Sequence, residues 1–301
     1  MELWIPLAVA AAFLQNLRST LQKSLKDHLS DTGAAYVRFA FGVPVVLLYL
    51  VALLFWQRTS LPEPNVAFAA WGATGGVAQI VGTVLLLQAF SSRSFAVSTA
   101  YSKTEPLQVA LFGIVLLGEF VPVGAVFALG ISLVGVLLLG AARRQSSSEG
   151  LLAELRGRGA LRGLLSGSAF AVAAVCYRAA SLSLPSGGVA LRAATTLAGV
   201  ICFQALLMTV VLYWREPGEL RRVAGQWRAA VGVGLSGALA SMGWFSAMTL
   251  TNAAYVRAVG QVELIFALIS SAWFFREPIL RLEWLGIGAI LAGVLMLALS
   301  V

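Results

Sequence analysis

The chain has 301 residues, of which 59% are hydrophobic and only 11% charged, with a mean hydropathy of +0.87. A water-soluble domain carries about 25% charged residues, so this chain cannot cover a soluble surface, and a bilayer is the solvent its composition fits. The net charge of +8 would suggest a nucleic-acid partner in a soluble protein; here the loop positions of the basic residues account for it, and no nucleic acid is implied.

Apolar stretches of about 20 residues match the hydrocarbon thickness of a bilayer. They predict ten helices, over 3–25, 33–55, 66–90, 94–117, 121–141, 160–182, 187–213, 229–250, 253–275 and 282–300. Turn-forming clusters separate them, among them Asp27-His28 to Asp31, Pro62-Glu63-Pro64-Asn65, Ser91-Ser92-Arg93-Ser94 and Pro185-Ser186-Gly187-Gly188. A longer polar and basic segment over 143–159 divides the chain into a first half, 1–142, and a second, 160–301. The first apolar stretch begins almost at once and lacks a basic lead, so no cleavable signal peptide is expected. Cys176 and Cys202 lie within apolar stretches and read as small buried hydrophobes. The lone His28 cannot build a metal or catalytic cluster. No cofactor, metal or catalytic residue is expected.

With an even number of spans both termini lie on one side. Loops on that side contain one basic residue, Arg58, whereas the opposite loops contain twelve, from Lys26 to Arg281. Basic loop residues stay on the cytoplasmic side. The expected orientation therefore puts both termini outside, on the periplasmic face of an inner membrane if the cell has one.

The chain also contains itself twice. Thr104-Glu105-Pro106-Leu107 is followed after an apolar stretch by Gly118-Glu119, and Val262-Glu263-Leu264-Ile265 is followed by Arg276-Glu277; each pair of glutamates is spaced by 14 residues and the pairs are offset by 158. Gly33–Arg38 (GAAYVR) parallels Gly187–Arg192 (GGVALR), and Lys23 and Arg178 end the first helix of each half. Five spans per half is odd, so the second half inserts inverted relative to the first, an arrangement that recurs in secondary transporters. The expected fold class is an all-α membrane protein of ten transmembrane helices in two inverted five-helix repeats.

This doubled set resembles the drug/metabolite transporter superfamily, in its EamA-type branch with ten spans. Thr104-Glu105-Pro106-Leu107 with Leu116-Leu117-Gly118-Glu119 resembles the family signature, and Phe274-Phe275-Arg276-Glu277 is its second copy. Arg38, Arg192 and Lys23 match basic residues usual in such repeats. Leu264 replaces the proline expected after Glu263, and Gln15-Asn16-Leu17-Arg18 stands where a tryptophan is often found. The resemblance implies alternating access and export of amino acids or related metabolites, as in bacterial exporters of that branch.

An ionised side chain at the bilayer centre costs at least about 2.5–3.5 kcal/mol, so intramembrane charges are expected to face a cavity or a partner. In the fourth helix, Tyr101, Glu105 and Gln108 share one face and Thr99 and Lys103 another, rotated by about 160–200°. In the ninth, Arg257 and Gln261 share a face and Glu263 lies nearly opposite. One face would line the pathway and the other would pair with a neighbouring helix. For Glu105 and Glu263, cavity lining or proton coupling stands beside burial as ion pairs with Arg38, Arg192, Lys23 or Arg178. Positions where the halves differ are better substrate candidates, because a substrate is itself asymmetric. The expected pathway residues are Asn16, Arg18, Gln79, Tyr101, Lys103, Glu105, Gln108, Tyr177, Trp244, Arg257, Gln261 and Glu263. Lys23, Arg38, Glu119, Arg178, Arg192 and Glu277 are expected to anchor the fold or its gates. The expected partners are lipid and a small zwitterionic or anionic metabolite, with a monomer as one admissible state. A multidrug exporter of lipophilic cations and, more remotely, a membrane protein without transport activity are the rival readings. A reporter fused after Val301 is expected to read as external; a cytoplasmic reading contradicts the orientation.

Overall fold

The computed structural model describes residues 2–25, 27–90, 101–142, 158–274 and 280–300. These residues form α-helices and one 3-10 turn, with no strand among them. In chain order the helices are α1 (Trp4–Leu25), α2 (Asp31–Ala40), α3 (Val43–Gln57), α4 (Val66–Phe90), α5 (Glu105–Leu117), α6 (Val123–Ala142) and α7 (Arg158–Ser183). They continue with α8 (Val189–Arg215), α9 (Glu219–Gly225), α10 (Trp227–Leu250), α11 (Ala253–Val259), α12 (Glu263–Phe274) and α13 (Arg281–Ser300). The segment over 143–157 and the loop bearing Arg276 and Glu277 lie outside the described residues.

Among the described residues seven segments are long and apolar enough to cross a bilayer: Asp31–Gln57, Val66–Gln88, Val123–Ala142, Leu161–Ser183, Val189–Arg215, Trp227–Leu250 and Arg281–Ser300. α1 has the length, but Gln15, Asn16, Arg18 and Gln22 lower its hydropathy. Large apolar side chains stand on the outside, with Phe55 81% and Leu299 88% exposed. In water such a surface would drive association; in lipid it is matched to the solvent. The chain is a multi-pass membrane protein.

Three of the expected helices are interrupted, and the chemistry of the chain explains two of the breaks. A proline ring inside a helix clashes with the carbonyl four residues earlier, whereas in the first turn it is tolerated. Pro44 would meet the carbonyl of Ala40, and the second span divides into α2 and α3, with Pro44 in the first turn of α3. Pro106 would meet the carbonyl of Ser102, and the chain turns at Lys103-Thr104 before α5 begins at Glu105. The ninth segment has no such proline. It passes instead through a 3-10 turn over Gly260–Val262 between α11 and α12. This turn falls 158 residues after 102–104, the offset that also separates the glutamate pairs.

The contacts divide the chain into two compact units, residues 1–80 with 173–251 and residues 81–172 with 252–301. Each draws on both halves of the sequence. In the first unit α1 packs on α10, and α8 packs on α2, α3 and α10. Leu25, Leu29, Ala34, Val37, Val223, Ala230 and Val233 form a buried cluster there. The N-terminus of α2 is closed by Ser30, whose hydroxyl accepts the Gly33 amide at 2.9 Å, and by the buried Glu219 carboxylate, which accepts the Ser30 amide at 2.7 Å. Arg222 neutralises Glu219 at 3.0 Å. At another loop pair, Asn65 donates to the carbonyl of Ser183 at 2.6 Å.

In the second unit α6 packs on α13. A Cβ at Gly135 would lie 2.6 Å from the Gly286 carbonyl, and one at Gly293 would lie 2.7 Å from that of Ala128. These two backbone contacts map onto each other under the same 158-residue offset as the glutamates. Small residues let membrane helices approach this closely, where dispersion rather than hydrophobic exclusion holds them. Val136 and Leu139 of α6, Ile287 and Ile290 of α13 and Leu268 of α12 form a buried cluster there. Leucine at Gly135 or Gly293 is expected to cost about 1–3 kcal/mol through overpacking, read as a lower melting temperature of the purified protein. Leucine at Gly130 or Gly288, where nothing lies within 4 Å, is expected to leave it unchanged.

Candidate functional site

Two polar clusters lie within the apolar helices, one in each unit. The cluster of the second unit is built on the two helix breaks. Helix interruption releases backbone carbonyls, and in a bilayer each must be satisfied by protein. Thr104 Oγ1 donates to the carbonyl of Tyr101 at 2.7 Å, and Gln261 Nε2 donates to that of Lys103 at 3.1 Å. Gln108 Nε2 donates back to Thr104 Oγ1 at 2.7 Å. The Oε1 of Gln261 accepts the hydroxyl of Ser132, which is itself buried in α6.

Around this backbone knot the charges cross. Lys103 pairs with Glu263 at 3.1 Å, and Arg257 pairs with Glu105 through both its Nε and an Nη nitrogen. The four side chains are 11–23% exposed. Each carboxylate follows a break; Arg257 precedes the break on its own segment, and Lys103 stands in the turn of the other. The partners are thus Arg257 and Lys103, where the sequence suggested Arg38, Arg192, Lys23 or Arg178. The division of each segment into opposite faces assumed continuous helices. The turn at Lys103-Thr104 and the tighter winding of the 3-10 turn change the angular offset, so that both glutamates are paired. Thr99 lies outside the described residues.

The cluster of the first unit is neutral at its centre and basic at its edge. Gln204 Nε2 approaches the carbonyl of Gly76, the Oε1 of Gln79 and the Tyr177 hydroxyl at 3.0, 2.9 and 3.2 Å. The Tyr177 hydroxyl lies 3.0 Å from both Gln79 Oε1 and the Gly75 carbonyl. The Tyr177 ring stacks on Phe245 with centroids 4.5 Å apart. Beside this network is a cavity of about 10 Å³, lined by Arg38, Phe39, Gln79, Leu197, Ile201, Gln204, Gly237, Ser241 and Phe245. Arg38 and Arg18 are each 8% exposed. Both flank Gly237, where a Cβ would meet Arg18 Cδ at 3.2 Å and Arg38 Cγ at 3.4 Å.

Of the other expected residues, Trp244 donates to Gln15 at 3.0 Å, and the carbonyl of Asn16 accepts Thr20 Oγ1. Arg178 donates to the carbonyls of Met248 and Thr251 at 2.7 and 2.5 Å, closing the end of α10. Arg192 sits in the first turn of α8, and its buried Nε has no hydrogen-bond partner. Glu119 lies in the loop after α5. Glu277 and the side chain of Lys23 lie outside what is described. Arg38, expected as an anchor, lines the cavity. Ser132, Ser241 and Glu219 were not singled out from sequence; the serines are ordinary in apolar helices, and Glu219 sits in a charged loop that reads as solvated. Among the described residues no group of three or more His, Cys, Asp or Glu could hold a metal ion.

Apolar helices that enclose paired charges and an amide network define a polytopic membrane protein with a polar interior. The chain belongs to the EamA-like transporter family, whose model matches residues 2–141 and again 157–299. It is similar to an uncharacterized transporter in the cobO 3′ region of a Sinorhizobium species, 26% identical over 99 residues, covering 33% of this chain and 69% of that protein. Its fold is similar to that of a solved crystal structure, with a TM-score of 0.73 at 17% identity over 99% of this chain and 96% of the other.

Removing one partner of a buried pair leaves an uncompensated charge, which costs roughly 3–5 kcal/mol. Lys103→Glu is therefore expected to destabilise the protein by about that much, and Lys103→Glu combined with Glu263→Lys to recover most of it. Denaturant titration of the purified protein measures both; a swap no more stable than the single variant contradicts the pairing.

Proposed function

We propose that this chain is a secondary transporter that exports small organic metabolites, amino acids and related compounds first among them, across the cytoplasmic membrane by alternating access. The observation that supports the reading is a small cavity of about 10 Å³ in a transporter-family protein, lined by Arg38, Gln79, Gln204 and Ser241 together with apolar side chains. Its mixture of a cation, amides and apolar walls suits a small molecule with a charged end and an apolar body.

Ten spans in two inverted repeats, 1–142 and 160–301 joined by 143–159, form the architecture of this proposal, with both termini outside. Three observations support the duplication. The family model matches each half separately. The fourth and ninth segments break at equivalent positions. The α6–α13 contacts repeat at the offset that relates the glutamates.

A multidrug exporter of lipophilic cations needs a carboxylate to receive the drug's charge. Glu105 and Glu263 already hold Arg257 and Lys103, which favours the metabolite reading. Purified protein in liposomes preloaded with unlabelled amino acids is expected to accumulate the labelled amino acid by exchange. No uptake or exchange of any labelled amino acid contradicts the substrate reading.

A further inference from the structure

We infer that the end of the first unit bearing α9 is a docking surface for an anionic phospholipid, whose phosphate is received by Arg215, Arg221 and Arg228 between Trp214 and Trp227.

α8 ends at Arg215, α9 follows, and α10 begins at Trp227; α9 packs on α8, α10 and α2. Its seven residues are far too few to cross a bilayer, so it lies at the end of the two spans it joins. The stretch 213–228 holds four arginines and two glutamates. The fold separates them by sign. Glu219 and Val223, one turn apart on α9, are buried, and Glu219 accepts the Ser30 amide at 2.7 Å. Glu216 accepts the Ser30 hydroxyl. Both carboxylates thus turn toward the N-terminus of α2, and the arginines are left outside: Arg215, Arg221, Arg222 and Arg228 are all exposed. Arg222 reaches back to Glu219 at 3.0 Å. Among the described residues Arg215, Arg221 and Arg228 have no carboxylate partner. A topology signal is a matter of how many basic residues a loop holds. A phosphate site further needs those residues clear of carboxylates, and the inward turn of Glu216 and Glu219 supplies this.

The aromatic side chains set the depth. Tyr213, Trp214 and Trp227 are 67%, 76% and 55% exposed, and such rings concentrate at the level of lipid headgroups. The Arg228 guanidinium lies over the Trp227 ring at 5.5 Å, a cation–π distance that holds one cation at that level. Tyr213 meets Trp214 edge-on, with centroids 5.6 Å apart. A phosphate at this depth is matched by guanidinium forks, which bind its oxygens in pairs, while the rings lie against the upper acyl chains. Phosphatidylcholine presents the same phosphate together with its own cation, which the arginines repel. A phospholipid of net negative charge carries no such cation. On the orientation expected from the sequence this end faces the cytoplasm, the side on which anionic lipid draws basic segments to the membrane surface.

Full-length protein in bilayers of phosphatidylcholine with a minority of phosphatidylglycerol provides the test. A small fraction of one lipid or the other carries bromine close to the headgroup, where it quenches nearby tryptophan. The emission of Trp214 and Trp227 is the difference between the protein and the variant combining Trp214→Phe with Trp227→Phe. At equal mole fraction, brominated phosphatidylglycerol is expected to be enriched at these rings roughly two- to fivefold over brominated phosphatidylcholine, the range an exposed ion pair supports. Arg215→Gln, Arg221→Gln and Arg228→Gln together are expected to remove the preference, and high salt to lower it in the unmutated protein by screening. Equal quenching by the two lipids in the unmutated protein overturns the inference, whatever the folding of the variants. A preference that persists in the folded triple variant, or that salt leaves unchanged, overturns it as well.

Discussion

A charge in hydrocarbon must be neutralised where it stands, and in the second unit four charges neutralise one another across two broken helices. Lys103 and Glu105 flank one break, and Arg257 and Glu263 flank the other. Each cation reaches the carboxylate of the opposite segment, so the pairs tie the two segments together. The same region must also satisfy the carbonyls that the breaks release, and Thr104 and Gln261 do so. Backbone interruption and charge pairing therefore depend on each other. A continuous fourth helix would put the Pro106 ring against the Ser102 carbonyl, and without the crossed pairs the interrupted one would strand charge in the membrane.

The first unit solves a different problem. Its network joins the uncharged side chains of Gln79, Tyr177 and Gln204, and the unit also buries Arg18 and Arg38. An amide network costs less to open than a buried ion pair, because its members can exchange partners or bind water. On the proposed reading such a site accepts and releases a small polar group, and the crossed pairs of the second unit serve as scaffold.

Much of this was legible in the sequence. Charge depletion announced the bilayer, because it is a statistical property of the whole chain. Individual residues that must be functional or paired in a membrane, such as Glu105, Glu263, Lys103 and Arg257, stood out for the same reason. Their partners did not. Pairing depends on the angular offset between residues on either side of a break, and a periodicity argument that treats 94–117 as one helix places Lys103 and Glu105 on opposite faces. Pro106 carried the signal for that break. The 3-10 turn at Gly260–Val262 had no comparable signal, since Leu264 stands where the proline would be. Arg38 was assigned to the scaffold because Arg192 matches it in the other half. Symmetry of sequence does not carry over to surroundings: Arg38 borders a cavity with Gln79, Gln204 and Ser241, a set assembled from four helices and visible only once they pack.

The pairing at the breaks is open to direct observation. The chain has three lysines, Lys23, Lys26 and Lys103, so nitrogen-15 in lysine side chains and carbon-13 in glutamate carboxyls give few signals in protein reconstituted in bilayers. Solid-state dipolar recoupling is expected to show Lys103 Nζ dephased by a glutamate carboxyl carbon. The effect should vanish in Glu263→Gln and persist in Glu105→Gln. Absence of dephasing at Lys103, or its loss in Glu105→Gln with retention in Glu263→Gln, would contradict the crossed arrangement.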